Sequence, residues 1–163
     1  MSCPVSPAES YIERMGLLWE TEGLPRIAGR ILGFLALQPA ACSLEDLATG
    51  LGVSKASISV DARHLERLAL IERVSRPGDR RDYYAIADDM PARVVKLKLA
   101  ELQGLQQALA DASALPATDG VVHARLLAFG AFQDRLMTLM RELLAALQDP
   151  SATPTSRTFV NPS

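Results

Sequence analysis

Apolar side chains recur three or four positions apart over four long stretches of the chain, which is the spacing of amphipathic helices. The stretches are residues 8–22, 25–38, 91–113 and 121–148. Glycine or proline stands at or near their ends, at Gly23, Pro25, Pro39, Pro91 and Pro116. These residues commonly start or end helices. The pattern therefore predicts a mainly α fold, with two helices before residue 40 and two longer helices after residue 90.

Two shorter helices are predicted between these pairs. Ser43 and Asp46 form a capping box for the first of them, which ends at Gly52. Ser54 then caps a second helix after only a brief turn, and we expect this helix to cover residues 54–68. Two helices joined by so short a turn have the spacing of a helix-turn-helix.

A basic hairpin is predicted directly after the second short helix, over residues 71–86. Pro77 and Gly78 mark its turn, and arginine occurs on both sides of that turn. Asp79 stands next to Arg80 and Arg81, and we expect it to orient one of them through a charge-assisted pair. A helix-turn-helix followed by such a hairpin predicts a winged helix-turn-helix.

The second short helix has one apolar side and one side suited to contact with DNA. Small, hydroxyl and basic residues on that side are expected at base edges, and Lys55, Arg76 and Arg80 at phosphates. We expect Arg81 in a narrow minor groove. The expected DNA-binding residues are Ser54, Lys55, Ala56, Ser57, Ser59, Val60, Arg63, Arg67, Arg76, Arg80 and Arg81. The plainer interpretation is a solvated helix face and a solvated charged turn.

The distribution of charge supports the DNA-binding interpretation better than the total does. The whole chain carries a formal net charge of −2. Residues 54–81 carry seven basic and four acidic side chains, a net +3, whereas the flanking segments are both acidic. Positive charge is thus concentrated where double-stranded DNA is expected.

The last long helix carries two apolar seams at heptad spacing. One seam holds Val122, Phe129, Leu136 and Leu143, and the other holds Leu126, Gln133, Met140 and Leu147. A single polar residue in a seam, here Gln133, can fix the register between helices. Packing inside the chain is one explanation. We favour a partner helix from a second subunit, because a small DNA-binding unit offers a helix this long little surface to cover.

Three ordered segments, residues 23–33, 53–59 and 76–84, resemble the GbsR-like branch of the MarR transcriptional regulators. The resemblance covers roughly residues 10–110. It implies a dimeric winged helix-turn-helix repressor with N- and C-terminal dimerisation helices. Since a two-fold dimer presents two recognition helices to two half-sites, we expect a palindromic operator. The resemblance also implies that the wing enters the minor groove through an Asp-x-Arg motif, which Asp79 and Arg81 match. One departure is Ala56, where this branch often has glycine.

The resulting domain organisation is a flexible N-terminus (1–7), one MarR-like domain (8–148) and a disordered tail (149–163). Within the domain we expect a DNA-binding core over 25–87 and dimerisation helices over 91–148. A small-molecule effector is a further expectation. We place it between the first two helices and the long helix after Pro91, near Trp19 and Tyr11, although both aromatic residues also fit the core.

Other function classes receive little support from the chain. His64 and His123 are its only histidines, and no triad-like, P-loop or metal-binding motif accompanies them. Cys3 and Cys42 are too few for a disulfide framework or a metal site. We therefore expect no catalysis, no cofactor and no metal, and a cytoplasmic protein without a membrane segment. A winged-helix module that binds proteins instead of DNA remains the alternative.

Overall fold

The computed structural model describes residues 6–114 and 119–149. The described elements are α1 (Pro7–Thr21), α2 (Arg26–Ala36), β1 (Cys42–Ser43), α3 (Leu44–Leu51), α4 (Lys55–Arg67), β2 (Ile71–Val74), β3 (Tyr83–Ile86), α5 (Met90–Ser113) and α6 (Gly120–Gln148). The proposed flexible N-terminus lies outside the described residues over 1–5, and the proposed disordered tail lies outside them over 150–163. No helix in the described part of the chain has the length and apolar character needed to cross a membrane.

The predicted winged helix-turn-helix is confirmed. A small antiparallel sheet of three strands accompanies the helices. Its strand order is β1-β3-β2, so β3, the second strand of the hairpin, is the central one. Tyr83 in that strand pairs with Ser43 of β1 on one side and with Val74 of β2 on the other. The sequence pattern did not predict β1, because two residues are too few to show an alternation.

Each short helix of the helix-turn-helix begins at a serine. The Ser43 and Asp46 side chains each accept a hydrogen bond from the other residue's main-chain N–H, which is the predicted capping box. Gly52 ends α3 in the left-handed conformation, with a φ of 63°. Ala69, two residues after the end of α4, also has a left-handed backbone conformation, with a φ of 58°.

The chain forms two compact units, Met1–Met90 and Pro91–Ser163. In the first unit, α1 and α2 pack at very short range through glycines. A Cβ on Gly29 would lie 2.7 Å from the main-chain oxygen of Met15 and 2.9 Å from the Cα of Gly16. Only glycine permits such an approach, and this contact sets the position of α2, which also packs against α3 and α4.

Arg30 connects α2 to α1 and to α3 in the first unit. Its Nη2 donates a hydrogen bond to the carbonyl oxygen of Leu51, at the end of α3, over 2.9 Å. Its Nε lies 2.6 Å from a carboxylate oxygen of Glu13 on α1, and Arg26 pairs with the same carboxylate. One arginine thereby satisfies a helix C-terminus and ties α1 to the helix-turn-helix.

In the second unit, α5 and α6 pack around Val95, Leu99 and Met137. Gln133 is 1% exposed, and its Nε2 donates a hydrogen bond to the carbonyl oxygen of Leu102 over 3.0 Å. The expectation that the Gln133 seam faces a second subunit is therefore wrong. This polar residue lies between two helices of its own chain, because α5 supplies a surface that covers the seam.

A different apolar face of α6 is left exposed. Its residues follow one another at alternating spacings of three and four, as in a coiled-coil seam. We call it the α6 stripe, and it consists of Phe129, Phe132, Leu136, Leu139 and Leu143. All but the half-buried Leu136 are among the exposed large apolar residues of the chain. The heptad pattern predicted three of these residues and missed Phe132 and Leu139.

Candidate nucleic-acid interface

The helix proposed to enter the major groove, α4, begins with an ordered serine cap. The Ser54 hydroxyl accepts a hydrogen bond from the main-chain N–H of Ser57 over 3.2 Å, and the two hydroxyls lie 3.0 Å apart. The predicted span of 54–68 corresponds to Lys55–Arg67 with Ser54 and Leu68 as caps. The cap satisfies one main-chain N–H of the first turn, and the positive end of the helix dipole at this terminus favours a nearby anion.

The predicted two-sided character of α4 is present in the structure. Ile58, Ala62 and Leu65 are buried on one side. Val60 on the other side is 59% exposed, although it is apolar. Ala56, Arg63 and Arg67 are exposed with it, while Ser57 and Ser59 are half-buried. An exposed valine among small and basic residues is suited to contact with a thymine methyl group.

Arg63 is held along the helix. Its Nε donates to the carbonyl oxygen of Ser59 over 3.0 Å, one helical turn earlier. This bond uses one donor and directs the guanidinium toward the N-terminal half of α4. Val60, Arg63, Glu66 and Arg67 together line a shallow surface depression of about 380 Å³. The terminal guanidinium nitrogens of Arg63 are the groups with the geometry for a guanine edge.

The wing tip carries one strongly held arginine. The Asp79 carboxylate accepts a hydrogen bond from Arg81 Nη2 over 2.6 Å, and both of its oxygens lie within 3.1 Å of Arg81 Nε. The hydrogen bonds of Arg81 and Tyr83 hold the pKa of Asp79 well below its usual range. The predicted pairing of Asp79 with a neighbouring arginine is thus present, and the structure places Arg81, not Arg80, in it.

Arg76 is placed differently from the sequence expectation of a free phosphate ligand. Its Nη2 donates to the carbonyl oxygen of Ala41 over 2.8 Å, and its guanidinium carbon lies 3.8 Å from the centre of the Tyr83 ring. Tyr83 itself was predicted only as part of a strand. Its role at the wing was missed, because a tyrosine in an apolar alternation carries no signal for a hydrogen bond at its far end.

The structure brings the N-terminal end of α4 close to the wing. Lys55, Arg80 and Arg81 line a common depression of about 310 Å³ with Ser43, Leu44, Glu45 and Asp82. Lys55 is paired there with Glu45, with 2.9 Å between Nζ and Oε1, and both side chains are largely exposed. Exposed pairs of this kind are weak, so Lys55 can exchange Glu45 for a phosphate at little cost.

The two aromatic residues proposed for an effector have separate surroundings. Tyr11 lines a cavity of about 690 Å³ in the first unit, with mostly apolar walls from α1, α2 and the two hairpin strands. Trp19 does not line this cavity. It is half-buried, and its Cβ lies so close to Gly29 that a methyl group added to that glycine would be only 2.8 Å away. Trp19 therefore packs in the α1–α2 contact.

Cys42 is a buried thiol beside the wing. Burial raises its pKa above the ordinary value, and the nearby Asp46 carboxylate adds to the effect. A protonated, buried thiol is a poor nucleophile.

Comparison with known proteins agrees with this geometry. The profile of the MarR family matches residues 22–82, which contain the helix-turn-helix and most of the wing. The chain is 33% identical over 140 residues to the HTH-type transcriptional regulator MmpR5 of Mycobacterium tuberculosis, a match that covers 85% of this chain and 79% of that protein. The chain belongs to the MarR family. This membership confirms the prediction of a DNA-binding transcriptional regulator.

Two further matches are also to transcriptional regulators. The HTH-type transcriptional repressor OpcR of Bacillus subtilis is 30% identical over 81 residues, covering 50% of this chain and 44% of OpcR. A crystal structure described as a transcriptional regulator superposes with a TM-score of 0.68 at 29% identity, covering 86% of this chain and 97% of the other. The superposition extends beyond the helix-turn-helix, so the likeness concerns the architecture of most of the chain.

Proposed function

We propose that this protein is a homodimeric, ligand-responsive repressor that binds a palindromic operator with α4 in the major groove and the wing in the minor groove. The observation that carries the proposal is the pairing of an exposed α4 face, at Ala56, Val60 and Arg63, with an arginine held at the wing tip. Base edges in the major groove carry the sequence code that such side chains can distinguish. A fixed arginine fits a narrow minor groove, whose potential is strongly negative.

We assign phosphate contacts to basic residues that lie between α4 and the wing. Lys55 and Arg80 line the same depression, beside the first turn of α4. A DNA backbone that crosses from the major to the adjacent minor groove would run past this point. Ser54 and Arg67 lie at the two ends of α4 and are proposed to contact the backbone that borders the major groove.

The homodimer is supported by the α6 stripe. Its exposed apolar side chains follow a three-four spacing, and Phe132 alone is 61% exposed. A second copy of the same stripe is the occupant we propose, because a self-complementary seam buries both surfaces at once. A two-fold dimer presents two α4 helices to half-sites about one helical turn, roughly 34 Å, apart.

The effector site is proposed in the cavity beside Tyr11. Met15, Leu32 and Leu35 contribute apolar walls, while Gln38 and Asp88 contribute polar groups. A largely apolar cavity with a few polar groups is the usual form of a small-molecule site. The cavity borders both α2 and the hairpin strands, so a ligand there could favour one wing position over another.

Assignment to the GbsR-like branch and to repression rests on similarity. The three segments that resemble this branch include the whole wing tip, and OpcR is named a repressor. We also propose that the protein acts in the cytoplasm, where a regulator of this kind meets its DNA.

The test is selection of a binding sequence by the full-length protein from a random pool of DNA duplexes. We expect an inverted repeat, bound by a dimer, with an affinity that falls steeply as salt rises. Recovery of no preferred sequence, together with no binding to DNA duplexes at low salt, would instead favour the alternative of a winged-helix module that binds proteins.

A further inference from the structure

Tyr83 is a buried residue that contacts side chains from both sides of the turn at Pro77 and Gly78, Arg76 before it and Asp79 after it. It is 3% exposed and lies in the central strand, with β1 and β2 paired on either side. The sheet therefore fixes the backbone of Tyr83 independently of the turn at Pro77 and Gly78, and its side chain is buried. A side chain placed in this way can support the charged groups that contact it.

The face of the Tyr83 ring supports Arg76. The guanidinium carbon lies 3.8 Å from the ring centre, within the range of a cation–π interaction. The same guanidinium donates through Nη2 to the carbonyl oxygen of Ala41 over 2.8 Å. The first half of the wing tip is thus held to the sheet and to the segment before β1.

The hydroxyl of Tyr83 supports the second half. It donates to Asp79 Oδ2 over 2.7 Å, the same oxygen that accepts from Arg81 Nη2. The other oxygen, Oδ1, accepts from the main-chain N–H of Arg81 over 2.9 Å. The carboxylate can rotate about its own bond only by breaking one of these contacts. The Tyr83 hydroxyl therefore fixes the group that aims Arg81.

We propose that Tyr83 and Arg76 are positioning residues for the wing. Tyr83 holds Asp79, and through it Arg81, in the orientation that enters the minor groove, and Arg76 packs on the face of the Tyr83 ring. The proposal rests on the proposed minor-groove role of Arg81. It replaces the expected phosphate contact of Arg76 with an internal one. Neither residue touches DNA in this role, so their loss should affect how the minor groove is distinguished more than how strongly phosphates are held.

The experiment uses the full-length protein and a duplex that it selects from a random pool. Three versions of that duplex are compared, with A·T, G·C or inosine·C pairs at the positions facing the wing. Inosine lacks the guanine N2 amino group, so inosine·C resembles A·T in the minor groove only. Wild type should bind the A·T and inosine·C versions better than the G·C version, and Arg81→Ala should lose that preference.

Tyr83→Phe removes one hydroxyl and keeps the ring. It should weaken binding to the A·T and inosine·C versions by about threefold to tenfold, since one hydrogen bond to a charged group is lost, and should leave the G·C version nearly unchanged. Asp79→Asn, with Tyr83 intact, should reproduce this pattern. It is the second variant to measure if Tyr83→Phe folds poorly. Tyr84→Phe is the matched control, a buried tyrosine at the next position of β3. It should keep the preference.

Arg76→Gln separates the two roles of that arginine. As a positioning residue, it should lose the minor-groove preference with little change in the slope of log affinity against log salt concentration. A slope reduced by about one, with the preference intact, would make Arg76 a phosphate ligand and overturn its positioning role.

The outcomes separate the positioning role of Tyr83 from the proposed minor-groove contact of Arg81. A preference that survives Arg81→Ala would remove the minor-groove contact, and the positioning role with it. A preference lost in Arg81→Ala but retained in a folded Tyr83→Phe variant would leave the minor-groove contact standing and overturn only the role of Tyr83. Circular dichroism and thermal midpoints establish that each variant is folded.

Discussion

The side-chain amide of Gln133 donates a hydrogen bond to the main-chain carbonyl of Leu102 over 3.0 Å, inside a single chain. The two residues lie on α6 and α5, and Gln133 is almost fully buried. A buried amide without a partner is costly, so this bond favours one register of α6 on α5 over its neighbours. Register is thereby set within the second unit, leaving the α6 stripe free to meet another molecule.

Gln133→Ala should destabilise the protein without changing its oligomeric state. The variant loses a buried hydrogen bond and leaves a cavity, so we expect the free energy of unfolding to fall by about 1–3 kcal/mol in urea titrations. Glu142→Ala, at an exposed position of the same helix, should stay within about 0.5 kcal/mol of wild type. If the Gln133→Ala variant became monomeric, Gln133 would instead lie in a subunit interface.

Phe132→Asp should convert the proposed dimer to a monomer. A charge in the middle of the α6 stripe would be buried without a partner when two copies pack together. Leu127→Asp is the matched control, because Leu127 is similarly exposed, at 56%, but lies on the opposite side of α6. Sedimentation at micromolar concentration is the measurement. Equal dissociation of both variants would place the interface elsewhere.

Gly29→Ala should lower stability, because its methyl group has no room between α1 and α2. The new Cβ would come within 2.7 Å of the Met15 main-chain oxygen, and backbone cannot move aside as a side chain can. Overpacking of this kind typically costs about 1–3 kcal/mol. Gly104→Ala on α5 meets nothing within 4 Å and should instead stabilise by about 0.5–1 kcal/mol. Thermal unfolding of the two variants decides between them, and a neutral Gly29→Ala would contradict the packing described.

Asp61→Asn should stabilise the protein near neutral pH. Asp61 is 8% exposed on the buried side of α4, and burial raises its pKa above the ordinary value of 3.8, with His64 offsetting part of the effect. A carboxyl whose pKa is higher in the folded state costs stability when ionised. This cost is present at pH values above the folded-state pKa and disappears as the pH falls through it.

The gain from Asp61→Asn should therefore shrink as the pH is lowered toward about 4 and below, which urea titrations at several pH values would measure. Asp88→Asn, at an exposed position, serves as the control for the substitution itself. A gain for Asp61→Asn that grows on acidification would have the wrong sign for a carboxyl with a raised pKa.

Arg63→Ala should relax base preference. If the terminal guanidinium nitrogens of Arg63 bind a guanine, the variant loses about 1–3 kcal/mol on the selected duplex and much less on a scrambled one. The measurement is binding to both duplexes at one salt concentration, with Lys55→Ala as the comparison. Lys55→Ala should weaken both duplexes to a similar degree. The same uniform loss in Arg63→Ala would make Arg63 a phosphate contact.

Much of the fold was determined by signals that are local in the sequence. The Ser43 and Ser54 caps and the glycine after α3 placed the helix-turn-helix within one or two residues of its observed bounds. Pro77 and Gly78 located the hairpin turn, and the position of Asp79 beside Arg80 and Arg81 was enough to predict a pair with one of them, which the structure shows to be Arg81. These features depend on residues within four positions of one another, so the interactions that form them all lie within a short segment.

Tertiary structure alone decided the rest, because the residues concerned are far apart along the chain. The carbonyl oxygen of Ala41 accepts a hydrogen bond from Arg76, thirty-five positions later in the chain. The carbonyl oxygen of Leu102 accepts one from Gln133, thirty-one positions later. The periodicity of α6 showed two apolar seams but not which one α5 would cover, since a heptad pattern is the same for a partner inside the chain and for one outside it. The support of the wing by Tyr83 likewise depends on the assembled sheet, which brings a buried ring, a carboxylate and two arginines to one place.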